Sequence, residues 1–160
     1  MESSTGEYHW RETFFIFFSE KNRPTLTQIE RVLGELNHKF ELKQLAADDD
    51  GLFESVSLHS PDDHAAMEIS LELGEAVIEQ RAELGKQLKG EATPKQLALI
   101  AQADARLDVM HFEHIAADWG GGEESLDDML DPGSLLLVVE ALVKLTRGLP
   151  IDPASGTILP

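Results

Sequence analysis

The chain has 160 residues, with 13 Lys plus Arg against 30 Asp plus Glu, and carries a formal charge of −17 with its six histidines neutral. That length suits one domain around one shared core, and a composition 42% hydrophobic and 27% charged excludes a disordered acidic chain. A field of this sign repels phosphate backbones and anionic membrane surfaces, so it argues against direct nucleic-acid or membrane binding and for a basic protein as partner.

The absence of cysteine excludes a disulfide framework, a thiol nucleophile and a thiolate metal site, and it fits a reducing compartment. The segment from Met1 to Glu7 is polar and acidic, where a secretory signal would begin basic and turn apolar. Leu135 to Val139, an apolar run that no other exceeds, falls far short of the roughly 20 residues a membrane-spanning helix needs. A cytoplasmic protein is expected.

Residues 1–12 read as a flexible N-terminal segment. Thr13 to Ser19 is an aromatic and β-branched run that predicts a central strand buried on both faces. Thr25 then stands three residues before Gln28 as a capping box, and Leu26, Ile29, Leu33, Leu36 and Phe40 follow at helical spacing. Two polar-apolar alternations, from Phe40 to Leu45 and from Leu52 to His59, flank the turn residues Asp48, Asp49, Asp50 and Gly51, which predicts a hairpin. Met67, Ile69, Leu71 and Leu73 alternate strictly with polar residues and give the clearest strand signal in the chain.

Gly74 opens a change to helical period that runs to Lys89-Gly90, and Thr93-Pro94 with Gln96 restarts a second helix. Leu107 to Ile115 reads as a strand, and 116–125, rich in glycine and glutamate, as a mobile loop. Asp131-Pro132 caps a last, largely buried helix that ends at Gly148, and 151–159 closes the chain as a small hairpin. The order predicts a single α+β domain over 1–160. Its expected architecture is a single-layer antiparallel or mixed sheet of five to six strands with three to four helices mainly on one face. Segments 13–45 and 107–152 each read strand, helix, strand, as two related halves. Phe15, Phe17, Leu33, Ile69, Leu71, Val138 and Leu142 are the expected core.

Two constellations could carry chemistry. His59, Asp62, Asp63 and His64 supply the imidazole and carboxylate ligands of zinc or non-haem iron, and His111 could join His59, Asp62 and His64 across the sheet. The spacing matches no standard ligand motif, and Ser-Pro-Asp-Asp is also an ordinary turn sequence. His111 and His114 are separated by an odd number of residues, so in a strand they point to opposite faces. The other constellation is aromatic and acidic. Trp10 and Trp119 lie in polar segments where aromatic residues serve as binding anchors, and Asp48, Asp49, Asp50, Glu123 and Glu124 form carboxylate clusters without the spacing of a calcium loop.

No phosphate-binding loop, dinucleotide fingerprint, nucleophile elbow or zinc-protease helix occurs. The leading reading is therefore a small acidic, non-enzymatic binding or regulatory module without a cofactor, of the general character of inhibitor or immunity proteins. In it, Trp10, Trp119, Asp48, Asp49, Asp50, Glu123 and Glu124 meet a basic partner. The alternative is a metal-binding protein or metal-dependent hydrolase holding a divalent metal through His59, Asp62, His64 and His111. Homodimerisation through an open sheet edge or the last helix is compatible with either.

Overall fold

The computed structural model describes residues 7–37, 39–60, 65–115 and 133–159. The elements in chain order are β1 (Glu7–Phe18), α1 (Leu26–Leu36), β2 (Glu41–Ala47), β3 (Phe53–Ser60), β4 (Ala65–Leu73), α2 (Glu75–Gln87) and α3 (Pro94–Gln102). They are followed by β5 (Ala105–Ile115), α4 (Gly133–Thr146), β6 (Leu149–Asp152) and β7 (Thr157–Ile158). Among the described residues seven strands join one sheet in the order β2-β3-β4-β5-β1-β6-β7, and every neighbouring pair is antiparallel. The α+β class and the single antiparallel sheet are as expected; the count of seven exceeds five to six because β6 and β7 pair separately in the closing hairpin.

The helix starts follow the sequence signals. Thr25 accepts from the Gln28 amide at 3.1 Å while the Gln28 side chain accepts from the Thr25 amide at 2.9 Å, and Thr93 and Gln96 repeat the arrangement at α3. Each box satisfies two amides that a helix start leaves orphaned. At the end of α4 the left-handed residue is Arg147, at φ 57°, rather than the glycine beside it. The Gly148 amide donates to Val143 O at 3.1 Å, closing the helix C-terminus. Gly148 is required for space: an added Cβ would lie 2.6 Å from Ile16 Cγ2 and 2.8 Å from Phe17 O.

Helices cover both faces of the sheet, not mainly one. On the first face Phe14, Ile16 and Phe18 of β1, with Val56, Leu58, Met67, Ile69, Leu107 and Val109, pack under Ile29 and Leu33 of α1 and Leu135, Val138, Val139 and Leu142 of α4. On the second face Phe17, flanked by Phe15, packs with Leu149 and Ile151 under Val77, Leu84 and Leu88 and under Ile100 of α3. The physical reason lies in β1, whose consecutive residues Phe14 to Phe18 are all apolar, so each face presents surface that must leave water. Of the expected core, Phe17, Leu33, Ile69, Val138 and Leu142 are buried, and Phe15 and Leu71 are half-buried.

Two further expectations are corrected. Residues 7–12 are not a loose leader but the first half of β1, paired with β5 from Glu7 opposite Ile115 to Glu12 opposite His111, with a bulge between Trp10 and Glu12. The polar residues of this stretch hid a strand because one of its faces is open. The two strand-helix-strand segments are also not equivalent: β2 lies four places from β1 at the far edge, whereas β6 lies two places from β5, across β1. The region 116–125 and the Asp131-Pro132 cap lie outside the described residues.

Candidate binding face

The second face of the sheet divides in two. Its apolar part, under α2 and α3, ends among the described residues at Phe15 and Phe17. Arg106 marks the border: its guanidinium stands 4.2 Å over the Phe15 ring, donates to both Asp108 carboxylate oxygens, one at 2.9 Å, and donates to Gln80 of α2. A planar, permanently charged fork can satisfy all three partners at once, which an ammonium group cannot.

Beyond that border the register sets out rows of side chains that share the face. One row runs Glu41, His59, Ala66, Phe112, Trp10, and the next runs Lys43, Ser57, Glu68, Met110, Thr13. The β1–β5 end of these rows is aromatic and apolar. Trp10 is 59% exposed, its indole N–H donates to Thr13 Oγ1 at 2.9 Å, and Met110 and Phe112 beside it are half-buried. The β3–β4 end is polar: Ser57 donates to Glu68 Oε2 at 2.6 Å and lies 3.1 Å from Gln44 Oε1. Burial and the nearby Lys43 hold the His59 imidazole below its usual pKa, against the opposing pull of Glu41 and Glu68.

Of the predicted binding residues, Trp10 stands on this face. The Asp48, Asp49 and Asp50 cluster sits in the β2–β3 turn, where Asp48 has structural work. Its Oδ1 accepts from the Asp50 and Leu52 amides, each at 2.9 Å, and its Oδ2 lies 3.3 Å from Arg23, which in turn donates to Phe53 O. The amide bond from Leu52 is the main cause holding the Asp48 carboxyl below the ordinary carboxylate range. Asp49 and Asp50 are exposed. Trp119, Glu123 and Glu124 lie outside the described residues, so the carboxylates that the register sets on the face of Trp10 include Glu41, Glu68, Glu72 and Asp108.

The histidine set is not brought together. His59 shares the second face with Ser57, while His111 pairs with Met67 and Glu12 on the first, two strands away. Asp62 and His64 lie outside the described residues, and among the described residues no group of three or more His, Asp or Glu could hold a metal ion. His111 has its own environment. It is 4% exposed, its Nδ1 lies 2.9 Å from Glu12 Oε2, and its Nε2 is buried without a hydrogen-bond partner. A carboxylate can only accept, so Nδ1 donates to Glu12, and Nε2 is the ring nitrogen left without a partner. Sequence reasoning placed His111 in a strand but could not find Glu12, because 99 residues separate the two.

Among the described residues no helix is long and apolar enough to cross a membrane. No family profile, curated protein or solved structure matches the chain.

Proposed function

We propose that this protein is an acidic binding module of the cytoplasm that engages a basic protein through the open part of its second sheet face. The observation that carries the reading is Trp10, an indole 59% exposed in the middle of a paired strand. It is backed by Phe112 and Met110, and the Glu68 carboxylate stands on the same face opposite Met110. Exposed large aromatics anchored on a rigid strand are the residue type that dominates interface energetics. The charge of −17 supplies attraction and steering toward a cationic partner, and the lack of cysteine suits the compartment.

The test uses Trp119→Phe protein, in which Trp10 is the one remaining tryptophan of the two. It is titrated with a pool of extended peptides rich in lysine, threonine and valine, and with the same pool carrying glutamine for lysine. The expected result is a blue shift of Trp10 emission with the lysine pool, weakened by salt and lost in Trp10→Ala when binding is followed by anisotropy of labelled peptide. Equal response to the glutamine pool, or no response to either, overturns the reading.

A second reading rests on the unpartnered Nε2 of His111. A histidine whose other nitrogen is held by a carboxylate is the form in which imidazole ligates metals, so His111 is the residue to follow for a divalent cation. Elemental analysis of untagged protein tests it. One zinc, iron or manganese per chain, lost on His111→Ala, would support it, and a metal-free chain would remove it.

A further inference from the structure

The long central strand is paired unequally on its two sides. Along β5 it is matched from Glu7 to Phe18, but β6 covers only Phe15, Ile16 and Phe17. Among the described residues β6 does not extend along β1 to Thr13 or Trp10. The far edge of the sheet differs: β2 carries exposed Glu41, Lys43 and Gln44, with Gln44 at φ 54° in a register shift. Charge and irregularity of that kind block further pairing.

The direction of the free backbone groups can be derived. Leu159 N donates to Pro150 O, so Pro150 faces β7, and its neighbours Leu149 and Ile151 face Phe17 and Phe15 of β1. In an antiparallel ladder this alternation continues, so Thr13 also points its N–H and C=O away from β5. The bulge at Arg11 moves the phase by one residue, and Trp10 and Tyr8, opposite Phe112 and His114, take the next outward positions.

We propose that residues 8–13 of β1 receive an extended cationic segment of the basic partner as an added strand, lying in line with β6 beyond Asp152. This rests on the binding reading above and names its mode. Strand addition satisfies the outward backbone groups and sets the incoming side chains beside Trp10. Six residues of strand offer about 20 Å of edge. The charge around the slot is negative on balance: Asp152 ends β6 beside it, Glu12, whose carboxylate meets His111, lies within it, and the Arg11 guanidinium is matched by Glu113 at 3.4 Å. A second copy of the chain would bring another −17 to the same place, so like-charge repulsion disfavours it.

The probe is an eight-residue peptide alternating lysine and valine, compared with the same peptide N-methylated at every second residue so that one edge lacks donors while charge and apolar surface are kept. Full-length protein is expected to bind the unmethylated peptide about tenfold more tightly, as the loss of a few ladder bonds implies. The amides of Trp10 and Thr13 are expected to gain exchange protection in that complex. Thr13→Pro, which removes an outward donor and leaves the β5 ladder intact, should weaken binding by a similar factor while its circular dichroism matches the parent. Equal binding of both peptides would overturn strand addition and leave the binding face standing. Binding of neither would overturn both. A native mass twice that of the chain, with Trp10 and Thr13 already protected in the absence of peptide, would assign the edge to a second copy instead.

Discussion

Glu12 Oε2 lies 2.9 Å from His111 Nδ1 across the β1–β5 ladder, beside an imidazole that is 4% exposed and whose Nε2 has no hydrogen-bond partner. Removing it with Glu12→Ala leaves both nitrogens of a buried imidazole unpaired and is expected to cost about 1–3 kcal/mol. In a His111→Leu background, where the ring is gone and an apolar side chain stands beside Met67, the same substitution should cost little. Urea unfolding of the four proteins of the cycle checks this, and equal costs in both backgrounds would mean the contact contributes nothing.

Gly148 and Arg147 should respond in opposite ways. Gly148→Ala drives a methyl group into Ile16 Cγ2 and the Phe17 carbonyl, at an expected cost of about 1–3 kcal/mol. Arg147→Gly relieves a left-handed residue at φ 57° and should gain about 0.5–1 kcal/mol. Thermal melts of the two variants, displaced to opposite sides of the parent, are the expected result.

Asp48 links stability to pH. Its carboxyl is held low by the Leu52 amide, with further help from the Asp50 amide and Arg23. The folded state therefore favours the ionised form, and the benefit is present above the unfolded carboxylate pKa of about 3.9 and lost as pH falls through the lower folded value. Asp48→Ala should lower the urea midpoint at neutral pH, and its difference from the parent should shrink on acidification. Asp49→Asn and Asp50→Asn, whose side chains are exposed, should stay within about 0.5 kcal/mol of the parent.

Arg106→Lys should fail as a conservative change. The guanidinium serves Asp108, Gln80 and the Phe15 ring together, and lysine can satisfy only part of that set. An expected cost of about 1–3 kcal/mol should be accompanied by faster amide exchange in α2, whose Gln80 loses its tether to the sheet. Unchanged exchange in α2 would show that the apolar contacts alone hold the helix.

Much of this fold was legible because its signals are local. The alternation in β4, the Asp48–Gly51 turn and the two threonine capping boxes each depend on residues within a few positions of one another, and each stands where the pattern placed it. What was not legible depends on pairing. The apolar run of β1 marks burial on both faces but does not say which helix covers which, and α2 with α3 went to the second face because Phe15 and Phe17 needed cover there. Trp10 looked like part of a loose leader because its strand partner Phe112 lies a hundred residues on and its open face carries no alternation. His111 resembles its neighbours in sequence, and only the register with Met67 and Glu12 turns it inward.

The pairing of β1 also sets a timetable for synthesis. Its two neighbours are β5 and β6, and the nearer of them begins at Ala105, long after Phe18 has left the ribosome. At about 5–20 residues per second the aromatic strand waits on the order of ten seconds for its first partner, while β2, β3 and β4 can already zip as successive hairpins. The aromatic strand is thus made well before the strand that shelters it, and a nascent chain held at about residue 100 should be bound by cellular chaperones over Thr13 to Phe18 and released once β5 emerges.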